Sequence, residues 1–556
     1  MIKDNFIQFI EKSIKNNWDI QAFSDYKGDS YKYSDVARRI ARIHIAFEQG
    51  GIKRGDKIAL LGKNSAHWTI VYLATISYGA VIVPVLPDFK PNDVHHIVNH
   101  SDSIVLFVGD NILETLKEKE MINLKAIFSI NNFSILSDKD NGGLSKKMAS
   151  IDELFAEKYP DGLSPENFKL VEVPNSELAV ISYTSGTTGF SKGVMLSHNS
   201  LASNVLYAHN NMPLQSGDSI VSFLPLAHSY GAAFEFLFPF TLGCHITFLT
   251  KTPSPQVILG AFKEIRPRLV LAVPLIIEKI YKKQLLPALE KPSMKYMLKI
   301  PGINKLIYKK IKNKLVDVFG GNFHEVVIGG AALNKDVEIF FNKIKFPFSI
   351  GYGMTECGPL ISYANWDKTR LGSAGKMVDG MKVKIDSPDP LNEAGEIMVQ
   401  GENVMLGYYK NEKATNEVLD KDGWLHTGDL GVTDKDDFIY IKGRSKSMLL
   451  GPSGQNIYPE EIEAKLNNMN YILESVVIDS KGNNGKLVAL VYPDHETAKS
   501  DNIDEVQLEA IMENHRKNLN KELPVFMNLS KIRIYPKEFE KTPKKSIKRF
   551  MYMEEE

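Results

Sequence analysis

The eleven residues Tyr183–Gly193, YTSGTTGFSKG, hold three glycines, three threonines, two serines and a lysine. Glycines let backbone N–H groups converge on a concave surface, hydroxyls add donors, and the lysine adds a point charge. That inventory suits phosphate oxygens better than a plain surface turn, which needs neither the hydroxyls nor the charge. A Walker-type loop sets Gly directly before its Lys and Ser or Thr directly after it. Here Ser191 precedes Lys192 and Gly193 follows, which argues against a P-loop nucleotidase. Further single residues carry chemistry downstream. Glu356 closes the small-residue stretch GYGMTE (351–356), where a carboxylate suits a hard cation such as Mg²⁺. Tyr352 lies between Gly351 and Gly353, which leaves its ring face open to close approach. Asp429, in His-Thr-Gly-Asp between strand-like runs, offers acceptors to a pair of hydroxyls. Taken singly, each has a plainer reading: a solvated loop acid, a core tyrosine, a turn aspartate, a strand-end charge for Arg444, a hydrogen-bonded core histidine for His228. No convincing Ser-His-Asp or Cys-His arrangement stands out.

These residues need a scaffold. Between about residues 55 and 355, the apolar runs KIALLG, VIVPVL, SIVLFVG, ELAVISYTS, SIVSFLPL, HITFLT, RLVLAVP and EVVIGGA are separated in several places by helical patterns. Near-continuous apolar strands are those covered on both faces, so the pattern predicts an α/β domain of largely parallel sheets. The stretch VYLATISYGAVIVPVL (71–86) reads as a buried helix running into a strand. Gly79 and Pro84 break it, and it is too short to span a bilayer. From about residue 365 the short alternating runs KVKID, GEIMVQG, GWLHTG and FIYIKGR predict a small β subdomain reaching to residue 443. Beyond it, YPEEIEAKLNNM predicts a helix with Pro459 in its first turn. SVVIDSKGNNGKLVALVYP predicts a hairpin, residues 505–522 a helix, and KIRIYP a strand. The domain boundary is expected at Gly443–Lys446.

The 556 residues exceed one compact core. Lys+Arg 67 balance Asp+Glu 67, so no global field points to nucleic acid. Two cysteines, Cys244 and Cys357, argue for a reducing compartment without a disulfide framework. The opening MIKDNFIQFIEKSIKNNWD lacks the apolar run of a signal peptide, so a cytoplasmic protein is expected.

Several motifs occur in a fixed order: YTSGTTGFSKGVMLSHNSL, LPLAHSYG (224–231), GGAAL (329–333), GYGMTE, GWLHTGDLG (423–431), GRSKS (443–447) and SGQNIYPEEIE (453–463). The set resembles the adenylate-forming superfamily of acyl-CoA synthetases, luciferases and peptide-synthetase adenylation domains. Its wording is most similar to bacterial long-chain fatty acyl-CoA synthetases. The resemblance implies a large N-terminal adenylation domain (1–443) and a small mobile α+β domain (444–556). It implies ATP and AMP contacts from Thr184, Ser185, Gly186, Thr187, Thr188 and Lys192 at the phosphates. Gly330 and Ala331 form its adenine loop, and Tyr352 meets the adenine beside Gly353, Met354 and Thr355. Asp429 and Arg444 sit at the ribose. Glu356 and Thr184 would hold Mg²⁺, His228 and Tyr230 would line the acyl pocket, and Lys446 would be the hinge. Catalysis is expected from Lys192, Glu356 and Thr184.

The implied reaction has two halves. A carboxylate attacks the α-phosphorus of ATP, releasing pyrophosphate and leaving an acyl-adenylate; a thiol then displaces AMP. Positioning and charge neutralisation are the catalytic devices. A long-chain fatty acid and CoA are the expected substrates, and a chain ending at residue 556 without a carrier domain speaks against a peptide-synthetase module. Residues 279–314 hold eleven lysines and one glutamate among Leu, Ile, Met and Tyr. Such a stretch suits an anionic membrane, and peripheral contact with the inner membrane face is expected. A basic surface equally suits an acidic acyl carrier protein as acceptor, and a solvated helical hairpin has the same composition. Monomer and homodimer both remain open. One departure keeps a third reading in view, a nucleotide- or acyl-binding protein with weakened ligase activity. The family places an adenylation lysine near the C-terminus, in Thr-x-x-Gly-Lys-Ile-x-Arg or Thr-Pro-Thr-x-Lys-x-Lys-Arg. EKTPKKSIKRF (540–550) matches at Thr542, Pro543, Lys548 and Arg549, which sets Ser546 in the lysine's place. A hydroxyl cannot offset phosphate charge, so a neighbour, Lys545 or Lys544, is expected to take over.

Overall fold

The computed structural model describes residues 2–139, 142–184, 191–250, 254–450, 456–480, 486–542 and 547–553. Its central element is an eight-stranded sheet. The order across it is Gly407–Tyr408, Lys192–Ser197, Leu178–Thr184, Val81–Val85, Lys57–Leu61, Ser103–Val108, Ala126–Ser129 and Ile135–Asp138. The five strands from Leu178–Thr184 to Ala126–Ser129 are parallel, as expected of runs that are apolar on both faces. Both margins are antiparallel. The strand Lys192–Ser197 was not foreseen, because KGVMLS is short and its first residues read as the tail of the glycine loop. It pairs Thr184 with Lys192 and closes that loop into a hairpin.

The stretch 71–86 behaves as its composition predicts. A helix, Ala66–Tyr78, is buried on nearly every side and starts where the Ser65 hydroxyl accepts from Trp68 N. It stops at Gly79 with φ 84°, a left-handed end that glycine adopts without strain, and strand Val81–Val85 follows. Trp68 and Tyr72 stack at 5.6 Å and meet Phe236, Phe23 and Phe240 in an aromatic core.

A second sheet holds Ser219–Ser222, His245–Phe248, Gln21–Asp25 and Ser30–Lys32, and a third, wholly parallel, holds Leu269–Ala272, Glu325–Ile328 and Phe348–Ile350. Met381–Asp386, Gly395–Gly401, Leu425–Thr433 and Ile439–Arg444 form an antiparallel sheet. Asp429 therefore lies inside a strand, not between strands as its Gly neighbour suggested; Gly428, at φ 72°, and a register shift after Leu430 absorb the irregularity.

The C-terminal elements match expectation closely. Pro459 opens helix Pro459–Leu466. The hairpin Ile472–Ser480 with Lys486–Pro493 carries the strand Leu529–Ile534 parallel on its second arm. Helix Glu505–Glu522 begins with a reciprocal cap between Asp504 and Gln507. Ile462, Leu466, Val477, Leu487 and Leu508 form a core of their own, separate from the main one. Cys244 and Cys357 are both buried free thiols. Among the described residues, no helix is long and apolar enough to cross a membrane.

Candidate active site

Thr184 and Lys192 stand opposite one another at the mouth of the glycine loop. Ser185, Gly186, Thr187 and Thr188 lie outside the described residues. The Lys192 ammonium sits 4.8 Å from the ring centroid of Tyr408, a cation–π distance. The Tyr408 hydroxyl donates to Glu356 Oε1 at 2.8 Å. Backbone bonds fix this approach: Met405 N donates to Glu356 O at 2.8 Å, and Tyr409 N donates to Gly193 O at 2.8 Å. Tyr408 is buried, and burial together with the Glu356 charge pushes its phenol well up, so it acts as a donor. The sequence reading missed this residue. Its signal was the pair Gly407-Tyr408, a glycine set between the apolar Val404-Met405-Leu406 and two tyrosines.

Glu356 belongs to the same short segment as Tyr352. The Tyr352 hydroxyl donates to Asp429 Oδ2 at 2.7 Å, and Arg444 Nε donates to Asp429 Oδ1 at 3.1 Å. Asp429 is buried while the Arg444 side chain is 69% exposed. Burial raises the Asp429 carboxyl above its ordinary range, against the opposing pull of Arg444 and the Tyr352 hydroxyl. Burial and the Asp429 charge push the Tyr352 phenol far up. Gly353 has no room for a side chain, since a Cβ there would lie 2.2 Å from Pro359 O. Met354 N donates to that same oxygen at 2.9 Å, and Thr355 is buried. One continuous line of contacts thus runs from Arg444 through Asp429 and Tyr352, along residues 352–356, to Glu356, Tyr408 and Lys192.

Gly330 and Ala331 are exposed just past the C-terminal end of strand Glu325–Ile328, where open α/β sheets carry their ligands. Tyr230 passes beneath this loop. Its hydroxyl donates to Val327 O at 3.1 Å, and its ring lies 3.1 Å from where a Cβ on Gly329 would be. Tyr230 therefore supports the 329–331 turn as much as it faces the acyl motif. His228 is half-exposed, and Ala232 N donates to its carbonyl at 2.9 Å. Beside them, Tyr72, Pro84, Ser182, Leu226, Ser229 and Ala233 line a cavity of about 10 Å³, room for about one water. Glu235 was also missed. It is fully buried, and its Oε2 accepts from Ser222 Oγ, Phe223 N and Leu224 N at 2.9–3.0 Å, pinning the turn that leads into LPLAHS. Burial raises its carboxyl well above the usual range. A lone acid inside AAFEFLFPF was its signal.

Among the described residues no group of three or more His, Cys, Asp or Glu side chains could hold a metal. One carboxylate, Glu356, with the Thr184 hydroxyl is nonetheless the sparse set that Mg²⁺ accepts when phosphates and water complete its shell. Lys446 is exposed, two residues beyond the strand that ends at Arg444. Lys545 and Ser546 lie outside the described residues, but both ends of their stretch are tied. Lys541 bridges to Ile547, Lys548 N donates to Glu540 O at 2.8 Å, and Arg549 makes a forked ion pair at 2.6 Å with Glu463.

Comparison with known proteins identifies the family and the fold. The family described as AMP-binding enzyme matches residues 10–409. The long-chain-fatty-acid–CoA ligase FadD15 of Mycobacterium bovis is 26% identical over 484 residues, covering 82% of this chain and 76% of that protein. The peroxisomal long chain acyl-CoA synthetase 6 of Arabidopsis thaliana is 29% identical over 503 residues, covering 86% and 70%. The probable 4-coumarate–CoA ligase 1 of Dictyostelium discoideum is 29% identical over 480 residues, covering 82% and 80%. Among solved structures, ATP-bound MatB from Rhodopseudomonas palustris superposes with a TM-score of 0.76 at 22% identity, over 99% of both chains.

Proposed function

The chain belongs to the AMP-binding enzymes, and from that premise we propose that it is an AMP-forming acid–thiol ligase. On this reading it joins a long-chain fatty acid to CoA through an acyl-adenylate. The observation that carries the proposal is the continuous line from Arg444 and Asp429 to Glu356, Tyr408 and Lys192. It brings into one row a carboxylate that could accept from a diol, an aromatic ring, a second carboxylate and a cation, the groups that a nucleotide and its metal would use. The relatives named for long-chain acids support the fatty acid, and the small cavity beside Ser229 requires that segment 224–233 open to admit a chain.

Each residue then has a task. Asp429 accepts from the ribose hydroxyls when the Tyr352 hydroxyl turns away, and the Tyr352 ring meets the adenine above the Gly330–Ala331 turn. Lys192 leaves the Tyr408 ring for the phosphates, where its charge offsets that developing on the transferred group. Glu356, oriented by Tyr408, and Thr184 would hold Mg²⁺, whose charge would neutralise the phosphate oxygens. The loop 185–188 would add backbone and hydroxyl donors. We place the domain boundary at Gly443–Lys446, with residues 1–443 holding the nucleotide, a β subdomain from about 365, and residues 444–556 pivoting at Lys446 between the two half-reactions. Lys545 or Lys544 would supply the adenylation cation missing at Ser546.

The test is pyrophosphate release over a panel of carboxylic acids, followed by thioester formation with CoA and with acyl carrier protein. Release that peaks with long-chain acids, and transfer to CoA, are expected. Transfer to carrier protein alone would replace the acceptor, and no release with any acid would favour a binding protein.

A further inference from the structure

We propose that the helical segment 292–314 is a docking surface for an anionic lipid bilayer. The segment is broken into the helices Pro292–Met297 and Ile303–Val318 by Pro301 and Gly302. The second helix is anchored from Tyr308 onward. Leu315 is its one buried residue, and Tyr308, Ile311, Val316 and Val318 pack against the main core. Its first turns are not so packed. Leu306 is 71% exposed, Tyr296 in the preceding helix 70%, and Ile303 40%. Large apolar side chains left this open are unusual for a surface that meets only water.

The charges are arranged around this tip. Ile303, Leu306, Lys310 and Lys314 follow one another at helical spacing and are all exposed, so one face runs from apolar at the tip to cationic behind it. Lys291, Lys295, Lys299, Lys305 and Lys309 are exposed on either side. Among the described residues none of these lysines is engaged in an ion pair. Along the chain, the nearest acids to the segment are Glu290 and Asp317, one beyond each end. An apolar tip with a lysine collar matches a bilayer, whose anionic headgroups overlie hydrocarbon. A second copy of the chain fits poorly, because the two collars would repel. Nucleic acid could stack a base on Tyr296 but offers no hydrocarbon layer for the aliphatic Leu306 and Ile303.

The full-length protein, without ATP, acid or CoA, is sedimented with vesicles of phosphatidylcholine alone or mixed with phosphatidylglycerol. Because no substrate is present, the result is independent of the ligase reading. Selective binding to the anionic vesicles is expected, weakening as salt is raised. Reversal of three collar charges, K305E with K309E and K310E, should weaken it by roughly a hundredfold. Tyr296→Ser with Leu306→Ser should weaken binding while leaving its salt dependence in place. Unchanged thermal unfolding of the variants shows that the fold survives. Equal binding to both vesicle types would overturn the proposal. So would vesicle binding that survives both sets of changes, and charge reversal that spares vesicles but impairs acylation of an acidic carrier protein would hand the surface to that protein.

Discussion

At the scale of single residues, the site is organised by groups that hold one another, contacts that a nucleotide would displace on the proposed reading. Lys192 rests over Tyr408, which in turn binds Glu356. Replacing Lys192 by Ala or Glu356 by Gln should slow acyl-adenylate formation by about 10²–10³-fold with the fold intact. Adenylation at the wild-type rate in Glu356→Gln would remove the metal role. Tyr408→Phe tests the bridging hydroxyl separately. Partners that orient a metal ligand are worth about 10–100-fold in metal affinity, so the Mg²⁺ concentration needed for half-maximal adenylation should rise by that order. An unchanged requirement would leave Tyr408 a packing residue. Glu356 and Tyr352 were legible because glycines and a lone acid in a small-residue run are unusual. Tyr408 was not, because its partner lies 52 residues away and only the sheet brings them together.

At the scale of elements, two short pieces carry consequences. The described residues flanking 543–546 are held by the Lys541–Ile547 bridge and by Arg549 on Glu463. Alanine at Lys544, Lys545 and Lys548 together should cut adenylation and spare thioester formation from supplied acyl-AMP. A triple variant that adenylates normally would mean that no lysine of this stretch serves the first half-reaction. Two helices make the fold sensitive to acid. His44 in Tyr33–Gln49 and His198 at the start of His198–Asn211 are both buried, and burial lowers each ring to about 4. The unfolded chain takes up these protons near its ordinary value of about 6.5, whereas the folded chain refuses them until about pH 4. Stability from these rings is therefore complete above about pH 6.5 and is lost as pH falls toward 4, on the order of 3 kcal/mol for each ring. Thermal unfolding between pH 7 and 4 should show this slope, and His44→Gln should flatten it; an identical slope in the variant would reassign the acid sensitivity.

At the scale of the whole molecule, side-chain hydrogen bonds join the C-terminal unit to the large domain beside helix Lys335–Lys343. Asn468 Nδ2 donates to Asp336 Oδ2 at 3.0 Å, Asn468 also pairs with Asn334, and Lys282 Nζ donates to Asn467 O at 2.8 Å. Asn334 caps helix Lys335–Lys343, which follows the adenine-loop motif. On the proposed reading, polar contacts of this kind are ones a pivoting domain would break and remake. Asn468→Ala removes hydrogen bonds worth about 1 kcal/mol, so the ratio of the two half-reaction rates should change by about fivefold. Equal effects on both halves would show that this contact does not set domain orientation.

The sequence alone determined the α/β class and the separate C-terminal unit. Strand periodicity, helix caps and glycine-rich composition are local properties that need no knowledge of what lies across the fold. The buried 66–78 helix with its Gly79 stop and the capped 505–522 helix are examples. Tertiary structure decided everything that depends on pairing between distant segments. It set Lys192 opposite Thr184 in a new strand, drew Asp429 into a strand against Arg444, and placed Tyr230 beneath the Gly329 turn. It also separated the exposed tip at Tyr296 and Leu306 from the anchored remainder of a uniformly basic segment. Which side chains meet is a matter of register and burial, and those are settled by the packing of the whole chain.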